Sequence, residues 1–349
     1  MKVLILLAFA LVIVLVFQLY LINNQNESKV FESNFQSNSL IGNIHNEPSL
    51  RTFTVYLPKG YKTSSKRYPC IYFLHGFGAS NKTFENFEFK NLLDEAIEEK
   101  KIMEVIVISP NSSTKFGGSF YTNSKLGGGW ADYIAKDLVA FIDHNYRTIS
   151  DKNSRGIAGH SMGGNGAIKL AMQYPEVFGS VYAMSPSIVY WAEELTLKNP
   201  AFKRIGMAKG IKDIEADNYS IGFIAMGSTY SAEENHAPFN CKMPVNYNGD
   251  IMSIDSETLS IWEKQFPLKM VSSHINNLKR LNGIGFDWGI NDEFAHLPIT
   301  CNLLSDELSK FSIQHKALQY EGRHSDRISG RNGRIYQGLI PFFNTYLKQ

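Results

Sequence analysis

A serine between two glycines is the residue of this chain with the clearest capacity for chemistry: residues 159–163 read Gly-His-Ser-Met-Gly, with Ser161 at the centre. The segment lies between a strand-like apolar run ending near Ala158 and a helix-like run starting near Asn165. A serine on a tight strand-to-helix turn holds its hydroxyl clear of the sheet, and the glycines avoid clashes across the turn. Because so short a pattern also occurs by chance, Ser161 is a candidate nucleophile that the rest of the chain must support.

A nucleophilic serine needs a base, because its hydroxyl attacks poorly at neutral pH, and the base needs a carboxylate to orient it. After a turn of this kind the expected chain order is Ser, then Asp or Glu, then His. Among nine histidines, His324 is the best candidate base, since it follows a late predicted strand and has a glycine two residues earlier. His296 is the second candidate.

Three acidic residues compete for the orienting role in the run 286–294, which follows an apolar, strand-like segment. They are Asp292, Asp287 and Glu293. Asp287 could instead cap the turn, which is a common task for aspartate, and Glu293 could be solvated. The residues alone leave this choice open.

The reaction of a serine with a carbonyl group also needs N–H donors aimed at the oxygen that becomes negative. One candidate donor is the backbone N–H of Met162, directly after the nucleophile. The other is the backbone N–H of Phe77, in the run His-Gly-Phe-Gly at 75–78 that follows an early predicted strand. The alternative interpretation of that run is an ordinary glycine turn.

Short apolar runs alternate with helix-like runs along the chain, which predicts a doubly wound, mostly parallel α/β sheet. The run 51–57 alternates like a half-buried antiparallel strand. Further strands are predicted at 70–74, 105–109, 156–158, 179–184, 283–287 and 317–320. Helices are predicted at 84–99, 130–144, 165–174, 303–311 and 335–347. The Ser161 turn, the acidic run and His324 all follow strands, so they are expected at one edge of the sheet.

Residues 187–275 interrupt this alternation, with clusters of Asn, Asp, Pro and Gly and one helix-like stretch at 255–262. Loops beyond the carboxyl ends of strands build the binding surfaces of such sheets. We therefore interpret 187–275 as an insertion over the active site.

The N-terminal segment 1–24 contains an uncharged apolar run at 3–22, which predicts a signal peptide or an uncleaved membrane anchor. Residues 25–47 are rich in Asn, Ser and Gln, and they are interpreted as a polar linker. The folded domain is expected over 48–349. These boundaries predict an exported protein, in the periplasm, outside the cell or tethered to the membrane on its extracytoplasmic side.

Composition excludes several classes of function. The net charge of +2 and the 44% apolar content describe an ordinary globular protein without a strongly basic surface for nucleic acid. No Cys/His spacing typical of a metal site is present, so neither a metal nor an organic cofactor is expected. The three cysteines allow one disulfide that the sequence cannot assign.

From about Arg51 onward the chain resembles the esterase D family of the α/β-hydrolase superfamily. The segments that carry the resemblance are 74–78 (LHGFG), 118–124 (GSFYTNS), 157–167 (IAGHSMGGNGA), 174–178 (YPEVF), 185–187 (SPS), 289–294 (GINDEF) and 322–324 (GRH). The resemblance implies an α/β-hydrolase fold. It also implies a triad and an oxyanion hole, with the residues Ser161, Asp292 and His324 in the first and Phe77 and Met162 in the second.

The activity that the resemblance implies is hydrolysis of a carboxylic ester through an acyl-enzyme, on a small-molecule or glycan-linked ester. Relatives in that family include feruloyl and acetyl xylan esterases, S-formylglutathione hydrolases, siderophore esterases and mycolyl transferases. Two alternatives are an acyltransferase, which passes the acyl group to another hydroxyl, and a surface-binding domain without catalysis.

Overall fold

The computed structural model describes residues 27–349, which form one large sheet, two small two-stranded sheets and helices packed on both faces of the large sheet. The strands are β1 (Lys29–Gln36), β2 (Leu50–Leu57), β3 (Cys70–Leu74), β4 (Ile106–Pro110), β5 (Asn123–Ser124), β6 (Gly128–Gly129), β7 (Arg155–His160), β8 (Ser180–Met184), β9 (Val245–Asn248), β10 (Ile251–Ile254), β11 (Gly283–Gly289) and β12 (Lys316–Tyr320).

The large sheet has eight strands in the order β1-β2-β4-β3-β7-β8-β11-β12. β1 and β2 pair antiparallel, as do β2 and β4, and the six strands from β4 to β12 pair parallel. This arrangement matches the predicted doubly wound, mostly parallel α/β sheet, with an antiparallel start. It places the carboxyl ends of β3, β7, β11 and β12 at one edge.

The helices are α1 (Thr83–Asn86), α2 (Phe89–Glu98), α3 (Trp130–Asp132), α4 (Val139–Asn145), α5 (Met162–Gln173), α6 (Ala201–Met207), α7 (Asn218–Tyr230), α8 (Ser256–Glu263), α9 (Pro267–Met270), α10 (Ile275–Leu278), α11 (His296–Lys310) and α12 (Ile340–Tyr346). π-helical turns at Tyr133–Leu138 and Ile335–Leu339 lead into α4 and α12, and short 3₁₀ turns occur at Asn38–Leu40, Lys152–Ser154, Ile211–Asp213 and Val271–Ser273.

Both faces of the sheet are buried, which explains the continuous apolar runs of the central strands. In β3, Tyr72 and Leu74 join the core on one face, while Ile71 and Phe73 join the core on the other. The first core includes residues of α4 and α5, and the second includes residues of α2 and α12. The sheet is therefore a rigid, covered platform for the loops at its carboxyl edge.

The expected polar linker over 25–47 is wrong for the residues that the structure describes. Residues Lys29–Gln36 form edge strand β1, which pairs along its whole length with β2. In this strand only Phe35 is a buried apolar side chain, and Leu40 is buried just after it. Because four of the eight β1 side chains are exposed and only one is buried, the segment has the composition of a linker although its backbone is part of the sheet.

The segment between β8 and β11 contains the predicted insertion and forms helices α6 to α10 with the β9–β10 hairpin. Its aromatic side chains Phe202, Phe223 and Trp262 are almost fully buried and extend the core on the α5 side of the sheet. The insertion is thus a folded layer with its own packing.

The predicted signal peptide or anchor at 1–24 lies outside the described residues. Within 27–349 no helix has the length and apolarity that crossing a membrane requires. The three cysteines, Cys70, Cys241 and Cys301, are buried free thiols, so none forms a disulfide. Over the same range no group of three or more His, Cys, Asp or Glu side chains is arranged to hold a metal ion.

Candidate active site

Ser161 lies between the end of β7 and the start of α5, with φ 58° and ψ −118°. Residues other than glycine rarely adopt this backbone conformation, and such backbone strain is typical of functional turns. A Cβ added at Gly163 would lie 2.0 Å from the carbonyl oxygen of Leu74, and one at Gly159 would lie 2.4 Å from the backbone of Gly163. Both glycines are therefore required for the close approach that makes the turn.

The side chains of His324 and Asp292 are in contact in the loops after β12 and β11. His324 Nδ1 lies 2.9 Å from Asp292 Oδ2, and the two side chains are 7% and 0% exposed. The other carboxylate oxygen, Asp292 Oδ1, accepts a hydrogen bond of 3.0 Å from the Phe294 amide. The carboxylate is thus fixed at both oxygens and oriented toward the imidazole.

The position of His324 is set by its backbone and by the rings beside it. Its carbonyl oxygen accepts hydrogen bonds from Arg334 Nη1 at 3.2 Å and from Ser185 Oγ at 3.3 Å. Its ring lies 4.9 Å, centre to centre, from the rings of His160 and Phe294. In the described part of the chain, His324 Nε2 is buried without a hydrogen-bond partner. The unpartnered nitrogen is the one that a catalytic base would use.

His160, which precedes the candidate nucleophile, supports this arrangement as a neutral residue. Burial, with His324 and Arg334 nearby, holds the pKa of His160 well below its usual value. Its Nε2 lies 3.1 Å from the carbonyl oxygen of His324, to which it donates. The serine turn and the histidine loop are therefore joined directly.

The two competing acidic residues have other partners. Asp287 is buried and paired with Arg334, and it accepts a hydrogen bond of 2.9 Å from the Tyr182 hydroxyl. Glu293 Oε2 accepts a hydrogen bond of 2.9 Å from the His324 amide. Burial alone would raise the pKa of Glu293, but the His324 amide and the charge of Arg323 hold it below its usual value. Asp292 is thus the only one of the three in contact with the His324 ring.

The 75–78 loop is fixed by His75, a residue whose role the sequence did not reveal. His75 Nε2 accepts a hydrogen bond of 2.8 Å from the Ser112 amide, and Nδ1 donates to the carbonyl oxygen of Gly76 at 2.8 Å. Burial lowers the pKa of His75 to about 4, so the ring is neutral and its tautomer is set by these two bonds. The sequence feature that could have indicated this role is the position of His75 directly after the predicted strand at 70–74.

Phe77 and Met162, the candidate oxyanion donors, both adjoin Ser161. Phe77 follows Gly76, where an added Cβ would lie 3.5 Å from Ser161 Cβ, and Met162 follows the serine itself. Among residues 27–349, neither backbone amide has a hydrogen-bond acceptor. Neither N–H group is therefore engaged by another described residue.

His296, the second candidate base, lies at the first position of α11 and has both ring nitrogens occupied. Nδ1 contacts Glu194 Oε1 at 2.6 Å, and Nε2 contacts the carbonyl oxygen of Ser187 at 2.6 Å. It has no nitrogen left to take a proton from a serine.

The insertion approaches the site through aromatic side chains. The ring of Phe77 lies 5.9 Å from that of Phe120, which lies 5.9 Å from that of Tyr230 in α7. Ser124 Oγ donates a hydrogen bond of 2.8 Å to the carbonyl oxygen of Ser228, in the same helix. The insertion thus borders the site on the side of the 117–124 loop.

The mostly parallel sheet and the strained serine turn after a central strand define an α/β hydrolase. The chain belongs to the family described as "Putative esterase", which matches residues 47–242, more than half of the chain. The match includes Phe77, Ser161 and Met162 and ends before Asp292 and His324.

Curated relatives carry esterase names. "Esterase Rv1288" of Mycobacterium tuberculosis is 29% identical over 179 residues, which are 48% of this chain and 37% of that protein. An "Endo-1,4-beta-xylanase/feruloyl esterase" of Xylanibacter ruminicola is 33% identical over 176 residues, which are 47% of this chain and 23% of that protein. The aligned part thus spans less than half of either relative.

Solved structures share the fold over nearly the whole chain. A ferulic acid esterase superimposes with a TM-score of 0.61 at 20% identity and covers 92% of this chain and 99% of its own. A fluorophosphonate-binding serine hydrolase of Staphylococcus aureus gives a TM-score of 0.57 at 17% identity, with coverages of 90% and 96%. The α/β-hydrolase fold therefore includes the strands that carry Asp292 and His324.

Proposed function

We propose that this protein is a serine esterase that hydrolyses a carboxylic ester through an acyl-enzyme intermediate. The observation that carries the proposal is the buried contact of 2.9 Å between His324 Nδ1 and Asp292 Oδ2, at the sheet edge where the strained Ser161 turn lies. A serine, a histidine with a free Nε2 and a carboxylate on Nδ1 form the set that ester hydrolysis by a serine requires.

In the proposed reaction, Ser161 Oγ attacks the ester carbonyl carbon while His324 Nε2 takes the hydroxyl proton. The resulting imidazolium is stabilised by the Asp292 carboxylate, whose side chain is fully buried and oriented by the Phe294 amide. His324 then protonates the leaving alcohol. In the second half of the reaction, it takes a proton from the water that attacks the acyl-enzyme.

The proposed oxyanion hole consists of the N–H groups of Phe77 and Met162. Neither has an acceptor among the described residues, and both residues lie beside Ser161. Donors that are already oriented do not need to reorganise as charge develops on the oxygen, and the loss of one such donor typically reduces kcat by about 10²–10³.

The proposed substrate is a small-molecule or glycan-linked ester outside the cytosol. The apolar run at 3–22 supports export, and it supplies a membrane tether if it is retained. The feruloyl esterase names of relatives support an aromatic acyl group, as does the half-exposed Phe77 side chain next to Ser161. We propose that the catalytic domain begins at about Lys29 rather than at 48, because β1 is part of its sheet.

The test is hydrolysis by the full chain of p-nitrophenyl esters of increasing acyl length and of methyl ferulate. We expect turnover by the wild-type protein and by Ser253→Ala, a control that removes an exposed hydroxyl from the insertion. Ser161→Ala should lose it. If a folded wild-type protein transferred acyl groups only to added alcohols, the acyltransferase alternative would replace hydrolysis. If it formed no acyl-enzyme at all, the surface-binding alternative would remain.

A further inference from the structure

His296 and Glu194 form a partly buried contact that ester hydrolysis does not require. His296 is the first residue of α11, and Glu194 belongs to the segment between β8 and α6. Glu194 Oε1 contacts His296 Nδ1 at 2.6 Å, and Glu194 Oε2 accepts a hydrogen bond of 3.2 Å from the His296 amide. On its other side, His296 Nε2 contacts the carbonyl oxygen of Ser187 at 2.6 Å. The His296 side chain is 5% exposed.

Both partners of the His296 ring are acceptors. A backbone carbonyl has no proton to give, and the Glu194 carboxylate already accepts the His296 amide at its second oxygen. Burial raises the pKa of Glu194, but hydrogen bonds from His296 and the Glu194 amide hold it below its usual value, so the group is ionised. A neutral imidazole has one N–H and can satisfy only one of these partners.

We propose that His296 is held as a buried imidazolium and that this cation positions the Ser161 turn and the acid loop by joining Glu194 to the carbonyl oxygen of Ser187. The positioning role rests on the proposed esterase function. The charge state of His296 does not depend on it. Glu194 Oε1 and the Ser187 carbonyl oxygen each need an N–H donor from the His296 ring. Only the protonated ring has two N–H groups.

The contact reaches the candidate triad by two short routes. The Ser187 amide donates a hydrogen bond of 3.1 Å to the carbonyl oxygen of Ser161, so the residue whose carbonyl group contacts His296 also supports the nucleophile turn through its N–H. On the other side, the Phe294 ring lies 6.2 Å from the His296 ring and 4.9 Å from the His324 ring. His296 therefore fixes the position of both loops without touching the reacting atoms.

The charged and titratable groups around His296 come from four segments of the chain. Glu194 faces it directly, and Tyr219 of α7 lies beside Glu194, where burial and the carboxylate raise the pKa of the phenol. Asp292 and His324 lie behind Phe294. Loss of one N–H from the His296 ring would leave either the Glu194 carboxylate or the Ser187 carbonyl oxygen without its donor.

The charge state is tested by ¹⁵N NMR of the full chain labelled in histidine, with His296 assigned by comparison with His296→Gln. We expect both His296 ring nitrogens to carry a proton at neutral pH. A signal from one protonated and one bare nitrogen at neutral pH would overturn the proposal. This measurement needs no substrate, so its result does not depend on whether the protein is an esterase.

The positioning role is tested by the pH profile of kcat for Glu194→Gln. The introduced amide can accept from a protonated Nδ1 or donate to a bare one, so it tolerates both states of His296. We expect kcat of the wild-type protein to fall on the alkaline side of its pH profile, and the variant to lose this dependence. Glu193→Gln removes the same charge at the exposed neighbouring residue and should keep the wild-type profile. Identical alkaline profiles in wild type and Glu194→Gln would overturn the role.

Discussion

At the scale of single residues, two aspartates five positions apart have opposite tasks. Asp292 has its side chain fully buried against His324, with a second hydrogen bond from a backbone amide. Asp287 lies within β11 and neutralises the buried guanidinium of Arg334. One carboxylate can therefore serve the proposed chemistry and the other the fold.

We predict that Asp292→Asn lowers kcat by about 10⁴ with little loss of stability, because the amide no longer stabilises the imidazolium or selects its tautomer. Asp287→Asn should keep most of its activity while folded, but its free energy of unfolding should fall by about 3–5 kcal/mol because Arg334 loses its buried partner. Acylation rates and urea unfolding measure the two effects. If Asp287→Asn slowed acylation more than Asp292→Asn, the wrong carboxylate would have been assigned.

A second residue-scale prediction concerns His75. Its pKa of about 4 in the folded protein lies below that of an unfolded histidine, so the unfolded chain binds more protons between these values. Stability is therefore retained above the unfolded pKa and lost as pH falls toward the folded one. The contribution amounts to about 2 kcal/mol between pH 7 and pH 5.

His75→Gln should show a correspondingly smaller decrease of unfolding free energy over that range, in urea titrations at each pH. His144→Gln, at a position outside the core, is the matched control and should follow the wild-type protein. If the unfolding free energy of His75→Gln depended on pH just as that of the wild-type protein does, the ring of His75 would not be neutral. This would contradict its two hydrogen bonds, which require a neutral ring.

At the scale of elements, the strands with both faces covered were predictable and the edge strand was not. The apolar run 70–74 coincides with β3, and 105–109 is displaced by one residue from β4. β1 has one buried apolar side chain, so neither hydrophobic content nor strict alternation marked it. What holds this strand is backbone pairing with β2, which side-chain patterns do not record.

We predict that a chain starting at Glu27, which lacks residues 1–26, is monomeric and as stable as the full chain. A chain starting at Ser37 should be less stable and prone to associate, because removal of β1 leaves the β2 edge unpaired and exposes the core beside Phe53. Melting temperature and size-exclusion chromatography distinguish the two chains. Equal behaviour would show that β1 adds nothing to the sheet.

The local motifs around the site were also predictable, whereas the contacts between distant segments were not. The turn at Ser161 and the loop at Phe77 follow from glycines next to strands. The pairing of His324 with Asp292 rather than Asp287 or Glu293 depends on a loop geometry that spacing alone left open, and the resemblance to a family supplied the choice. The Glu194–His296 contact joins residues 102 positions apart, and no local pattern indicated it.

At the scale of the whole molecule, the sheet brings three distant segments to one edge and the insertion closes one side of it. The serine turn follows β7, the acid loop follows β11 and the histidine loop follows β12. Their separation is set by parallel pairing in the order β7-β8-β11-β12. The insertion contributes Tyr230 beside the 117–124 loop and Glu194 beside α11. Because it borders the site, we expect the insertion to influence substrate choice.

The most direct test of the account is to treat the full chain with a fluorophosphonate, which reacts with activated serine hydroxyls, and to locate the adduct by peptide mass spectrometry. We predict one adduct, on Ser161, with labelling greatly slowed in His324→Gln and absent in Ser161→Ala. A folded wild-type protein that stays unlabelled, or is labelled on another serine, would contradict the assignment of Ser161 as a nucleophile activated by His324.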